Sequence, residues 1–213
     1  MTRVKICGIT TPDDALACTV AGADAIGMLV DVKISPRCIT VDQARQITSV
    51  LPPFVSSVMV MMPSTASEVV DAARKIRPTA IQLHGGEQPE LLRMIKLQLP
   101  GIRLIKTIHV GAGGEVEKAC QYEGVADAVL LDTASPAGGG TGATHDWAVS
   151  REISHSVRLP VVLAGGLSPK NVADAVRTAR PYAVDVCSGV EAEKRRKDIR
   201  LVREFIEQAR ITT

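Results

Sequence analysis

Aromatic side chains are nearly missing from this chain: its 213 residues include one tryptophan, two tyrosines and two phenylalanines, 2% in all. A core must then be built from Val, Ile, Leu, Ala and Met, and the ring platforms on which nucleic-acid bases stack are not expected. An excess of charge of one sign is missing too. Lys and Arg number 25 against 23 Asp and Glu, a net charge of +2, so there is no electrostatic footprint for nucleic acid. No stretch approaches the ~20 apolar residues that span a bilayer. The start, Met1-Thr2-Arg3-Val4-Lys5, lacks the long apolar segment of a signal peptide. No membrane contact is expected, and a cytoplasmic location is the default.

Close cysteine pairs are absent as well. Cys7, Cys18, Cys38, Cys120 and Cys187 are an odd number at long intervals, and His84, His109, His145 and His155 are equally dispersed. Neither disulfides nor a metal site is indicated by such spacing. No linker or low-complexity tract divides the chain, so one domain over residues 1–213 is expected.

What is present is a repeating unit. A short strand, Arg3-Val4-Lys5-Ile6-Cys7, runs into Gly8, and Thr11-Pro12-Asp13-Asp14 then opens a helix expected to reach Val20. Further strands are expected at 25–30, 54–60, 80–83, 102–108, 126–131, 160–163 and 182–186. The helices between and after them are expected at 41–50, 66–76, 89–97, 114–122, 147–154, 171–178 and 197–209. Near-continuous apolar strands alternating with helices call for a parallel sheet covered on its outer face. Eight units favour closure into an α/β architecture, the (β/α)8 TIM barrel, with lean loops. An open doubly wound sheet is the competitor, but Cys7-Gly8-Ile9-Thr10 carries one glycine where the dinucleotide fingerprint needs three.

In such a barrel the site forms at the carboxyl ends of the strands. Cys7 ends the first strand, on the face shared with Arg3 and Lys5, while Val4 and Ile6 point outward to the helices. Taken alone, a cysteine is a small buried hydrophobe; beside an ammonium such as Lys5 its reactive thiolate is favoured. Arg37 lies in the loop after the second strand, His84 in Gln82-Leu83-His84-Gly85 after the fourth, and Asp132 after the sixth, across the mouth from Cys7. The seventh and eighth strands end in Ala164-Gly165-Gly166-Leu167 and Cys187-Ser188-Gly189-Val190, whose backbone amides suit a phosphate. Lys5 and Asp185 are expected to pair inside the barrel, because the eighth strand closes onto the first. The run Glu193-Lys194-Arg195-Arg196-Lys197-Asp198 reads as a solvated loop and helix start.

As an ordered set these motifs resemble the phosphoribosylanthranilate isomerases, cofactor-independent barrel enzymes of tryptophan biosynthesis. The likeness spans essentially the whole chain. It rests on Lys5-Ile6-Cys7-Gly8-Ile9-Thr10, Ser35-Pro36-Arg37, Gln82-Leu83-His84-Gly85, Leu130-Leu131-Asp132-Thr133, Gly139-Gly140-Thr141-Gly142, Asp146-Trp147, Ala164-Gly165-Gly166-Leu167 and Val184-Asp185-Val186 followed by Ser188-Gly189-Val190-Glu191. The resemblance implies an Amadori rearrangement of a small phosphoribosyl substrate, with Asp132 as general acid and Cys7 as general base. It further implies that Arg37 holds the anthranilate carboxylate and that the amides around Gly165, Gly166, Ser188 and Gly189 hold the phosphate. From their places at the mouth, Asp185, Cys187 and His84 are further candidates for substrate binding, although His84 reads most simply as a strand-end histidine bonded to backbone. No metal or other cofactor is implied, and the chain is expected as a monomer or homodimer. The chain departs from the family's usual residues at Cys38 (an aromatic), His145 (a phenylalanine) and Cys187 (a serine). Alternative readings are a related phosphosugar barrel, such as the aminoaldose isomerase of histidine synthesis, or a non-catalytic phosphosugar-binding barrel.

Overall fold

The computed structural model describes residues 1–134 and 144–211. Gly139-Gly140-Thr141-Gly142 of the family resemblance lies outside the described residues. Eight parallel barrel strands run through Arg3–Ile6, Ala25–Val30, Ser56–Met61, Ala80–Leu83, Arg103–Val110, Ala128–Thr133, Val161–Leu163 and Ala183–Val186. Each pairs with the next, and the first pairs with both the second and the eighth, which closes the barrel. The expected (β/α)8 architecture is therefore present. A two-residue strand, Cys38–Ile39, adds to the second barrel strand.

The helices are α1 (Pro12–Val20), α2 (Val41–Val50), α3 (Ala66–Ile76), α4 (Pro89–Gln98), α5 (Glu115–Cys120), α6 (Trp147–Ser156), α7 (Val172–Ala179) and α8 (Ile199–Ile211). Local chemistry starts them where the sequence implies. Thr11 accepts from the Asp14 amide with Pro12 just behind it, and Thr40 and Gln43 form a reciprocal capping box. The boundaries that moved did so at strand ends. The third strand starts at Ser56, leaving Phe54 in a turn and fully exposed. The fifth and sixth strands run on to Val110 and Thr133, so His109 and Asp132 sit within strands.

Alternation along each strand separates two cores. Val4, Ile6, Val129 and Leu131 belong to the large core between sheet and helices. Inside the barrel the packing is thinner: Cys7, Val58, Val60 and Ala80 form one small cluster, and Leu130, Val162, Ala164 and Ala183 another. The rest of the interior is polar, with Lys5, Gln82, Thr107 and Asp185 all buried. Gly27 of the second strand makes room for this: a Cβ there would stand 2.8 Å from the Cys7 Sγ and 2.9 Å from the Lys5 Cε.

Candidate active site

Cys7 sits one residue past the first strand, its amide donating to the Val186 carbonyl at 2.8 Å. In the register of the closing strands Lys5 stands opposite Asp185 and Ile6 opposite Val186, so the next step brings Cys7 beside Cys187, and the two pack together. The Lys5 ammonium donates to Asp185 Oδ2 at 3.0 Å, as expected from the sequence. Burial by itself would lower the Lys5 pKa, but Asp185 and then Cys7 outweigh it and hold the group above its ordinary value. Hydrogen bonding with Cys187, together with the Lys5 ammonium, lowers the Cys7 thiol to about 7 against the opposing effect of burial. The same bond, together with burial, pushes the Cys187 thiol up.

Asp132 shares its strand face with Leu130, which lies inside the barrel. Going round the closed sheet, its strand is the third from Cys7's own, by way of the eighth and seventh. The carboxylate thus enters the mouth one strand short of the diametric position. Burial and the nearby Asp185 raise its pKa above the ordinary carboxyl value, while His109, the Thr133 amide at 2.9 Å and Lys5 oppose that rise. The Lys5–Asp185 pair is therefore in electrostatic contact with both proposed proton-transfer groups.

His84 stands beside Asp132, with 3.5 Å between Nε2 and Oδ2. Its Nδ1 faces the Gln82 amide nitrogen at 3.2 Å and the Thr107 hydroxyl at 3.1 Å. With the amide donating to Nδ1, the imidazole proton is on Nε2 and points toward the carboxylate. Burial, then His109 and Lys5, lower its pKa to about 3, so the ring is neutral. His109 meets it edge-on at 5.3 Å between ring centroids and contacts the His84 carbonyl.

The two glycine loops are built for close approach. Gly165 and Gly166 have φ of +84° and +64°, a region that side chains with a Cβ avoid. A Cβ on Gly165 would stand 2.6 Å from the Thr133 amide, and one on Gly189 would overlap the Leu167 carbonyl. The loop after the seventh strand is thus pressed between Asp132–Thr133 on one side and the Ser188–Val190 turn on the other. His145, at the family's phenylalanine position, bridges the Thr133 hydroxyl at 3.0 Å and the Ser150 hydroxyl at 2.6 Å.

Arg37 reaches the same mouth, but its fork is not wholly open. Its Nε and Nη2 donate to the two oxygens of Glu191 at 2.7 and 2.5 Å, and Lys197 adds a third bond to Glu191 Oε1 at 3.1 Å. This overturns part of the reading of the charge run. Residues 191–197 fold into a hairpin whose Lys194, Arg195 and Arg196 are exposed, whereas Lys197 is buried. Lys197 also donates to the Cys187 carbonyl at 2.9 Å. Sequence reasoning missed Gln82, Thr107 and His109 as supports of His84. The signal was there in the two-residue alternation that places Ile105, Thr107 and His109 on one face. For Lys197 no comparable signal exists, because its burial comes from the hairpin fold.

Among the described residues no group of three or more His, Cys, Asp or Glu is arranged to hold a metal ion, and no helix is long and apolar enough to cross a membrane.

A family model described as N-(5'phosphoribosyl)anthranilate (PRA) isomerase matches residues 4–208. A relative from Methanocella arvoryzae named N-(5'-phosphoribosyl)anthranilate isomerase is 80% identical over 212 residues, covering 100% of both chains. A solved phosphoribosyl anthranilate isomerase in complex with reduced 1-(o-carboxyphenylamino)-1-deoxyribulose 5-phosphate is 39% identical, covers 98% of each chain and superposes with a TM-score of 0.86. Monomers generated from the dimeric isomerase of Thermotoga maritima match with a TM-score of 0.85, 38% identity and 98% coverage of each chain. By sequence over nearly its whole length and by fold, the chain belongs to the N-(5'-phosphoribosyl)anthranilate isomerase family.

Proposed function

We propose that Cys7 and Asp132 carry the isomerase reaction of this family as base and acid in one pocket. The substrate is N-(5-phosphoribosyl)anthranilate, an aminoaldose, and the product is the 1-(2-carboxyphenylamino)-1-deoxyribulose 5-phosphate ketose. Asp132 gives its proton to the furanose ring oxygen; the C1–O bond breaks and the anthranilate nitrogen becomes a protonated imine. The Cys7 thiolate then takes the proton from sugar C2, acidified by that imine, and the electron pair forms an enolamine. Its tautomerisation to the ketone returns the protons, so the atoms balance without an added reactant.

The observation that carries this reading is a thiol lowered to about 7 and a carboxyl raised by burial, both in electrostatic contact with the Lys5–Asp185 pair. A thiol near the working pH is available as a base, and burial favours the protonated form of the carboxyl that has to act as the acid. Asp185 Oδ1 is buried without a hydrogen-bond partner among the described residues, which suits a substrate donor such as a sugar hydroxyl. His84 lies beside the acid, Arg37 serves the carboxylate, and the amides of Gly165, Gly166, Cys187, Ser188 and Gly189 serve the phosphate. A phosphate held through the backbone amide of residue 187 needs no hydroxyl there, so cysteine can stand where serine is usual in the family. The protein works as a single cytoplasmic domain, as a monomer or homodimer.

The test is to follow the loss of anthranilate-type fluorescence on adding protein to freshly prepared phosphoribosylanthranilate. Turnover by the native protein and its loss in Cys7→Ala and Asp132→Asn support the assignment. Undiminished turnover in either variant removes that residue from the chemistry.

A further inference from the structure

Arg37 has five N–H donors in one plane, and Glu191 engages two of them, on Nε and Nη2, along one side of the fork. The contact is buried, with the Arg37 and Glu191 side chains 11% and 6% exposed. Three donors remain without a partner among the described residues, including the in-plane pair on Nη1 and Nη2, which form a second edge able to take another carboxylate with two parallel bonds. Glu191 is itself anchored from behind. Its Oε1 accepts from Lys197, whose side chain is 0% exposed and which also holds the Cys187 carbonyl at the head of the Ser188–Val190 turn. Two cations around one carboxylate leave a positive charge for an anionic ligand.

We infer that Glu191 is a positioning residue that locks one edge of the Arg37 guanidinium and presents the other edge to the substrate's carboxylate. It rests on the assignment of Arg37 to that carboxylate. An arginine on an exposed loop samples many rotamers, and fixing one before the ligand arrives removes an ordering cost from binding. Lysine in place of Arg37 could not do this, having no second edge.

The experiment compares two substrates, phosphoribosylanthranilate and the phosphoribosyl adduct of aniline, which lacks the carboxylate. Steady-state kinetics are measured for native protein, Arg37→Ala, Glu191→Gln, Glu191→Asp and the Arg37→Ala/Glu191→Gln double variant. Glu191→Asp keeps an anion beside Lys197 while withdrawing it from the guanidinium, which guards against a folding defect from an unpaired lysine. The expected result is a KM for the carboxylated substrate raised about tenfold or more in both Glu191 variants, the size of one charge-assisted contact. KM for the aniline adduct should stay near the native value, and the double variant should be no worse than Arg37→Ala.

Equal losses on both substrates, an unchanged KM, or failure of both Glu191 variants to fold would overturn the inference, since Glu191 would then serve the fold or nothing. If Arg37→Ala itself fails to distinguish the substrates, it is the Arg37 assignment that falls. If Arg37→Ala distinguishes them and the Glu191 variants do not, the positioning role alone is lost.

Discussion

Lys106 and Lys5 are both buried in the barrel wall against a carboxylate, at 2.9 Å from Glu87 and 3.0 Å from Asp185. They lie on opposite sides of the sheet. Lys106 shares the helix-facing side of its strand with Leu104 and Ile108, whereas Lys5 alternates with Val4 and Ile6 and so points inside. The Lys106 ammonium has three acceptors, the Leu83 and Gly85 carbonyls and Glu87, and Glu87 returns its other oxygen to the Gly85 amide. Tyr122 closes the network on the Glu87 carbonyl. Nothing is left over: this network fixes the turn that carries His84. The Lys5 pair is unfinished by contrast, with Asp185 Oδ1 unpartnered among the described residues and a thiol beside the ammonium. A saturated buried ion pair reads as scaffold, and an unsaturated one at a strand end reads as chemistry.

Mutation can break that contrast, and the largest effects are expected at the proposed reacting groups. Cys7→Ala and Asp132→Asn should each lower kcat by ~10² to 10⁴, measured by the fluorescence assay, with near-native thermal melts. On the scaffold side, Glu87→Gln strips the Lys106 ammonium of its counter-charge. Breaking a buried pair in this way typically costs about 3–5 kcal/mol of stability, which a urea titration would register as a lower midpoint. The Cys7 pKa, followed by alkylation rate against pH, should not move in that variant; if it did, the two networks would be coupled and the contrast wrong.

Lys5→Met is the matching change on the active side. Because the ammonium helps hold Cys7 near 7, its removal should shift the thiol upward. The reactive form is the thiolate, so native kcat/KM should rise with pH through about 7. In Lys5→Met that rise should move to higher pH, and an unmoved profile would sink the tuning role. A shift in the same direction is expected for Cys187→Ala, because the Cys187 hydrogen bond is the largest cause of the lowered thiol, with Cys187→Ser restoring a donor and much of the native profile. Gly165→Ala should reduce activity without touching either lysine, since its Cβ would stand 2.6 Å from the Thr133 amide and 3.0 Å from Asp132 Oδ1.

The barrel was legible because its evidence is local: each strand carries its apolar run, and the cap residues Thr11 and Thr40 stand where α1 and α2 begin. The Lys5–Asp185 pair followed from closure alone, without any motif. Asp132 stands at the mouth as its place after the sixth apolar run implies, but the strand around it is longer than that run, because hydrogen bonding to the neighbouring strand carries polar residues along. Glu191 and Lys197 were not legible. Burial of a lysine within a run of charges depends on a hairpin folding over it, and nothing in the spacing of Glu193 to Asp198 marks which charge turns inward.

The seam between the first and eighth strands has a consequence for how the enzyme comes into being. Lys5 and Asp185 are separated by 180 residues in sequence, and Cys187 and Glu191 follow later still. In synthesis from the amino end the proposed base is made long before Asp185, Cys187 and Glu191, which complete its surroundings. Until the ring shuts, Cys7 lacks the Cys187 hydrogen bond that contributes most to lowering its thiol. Ionisation of that one sulfur therefore reports completed folding, and its alkylation rate would serve as a clock for barrel closure.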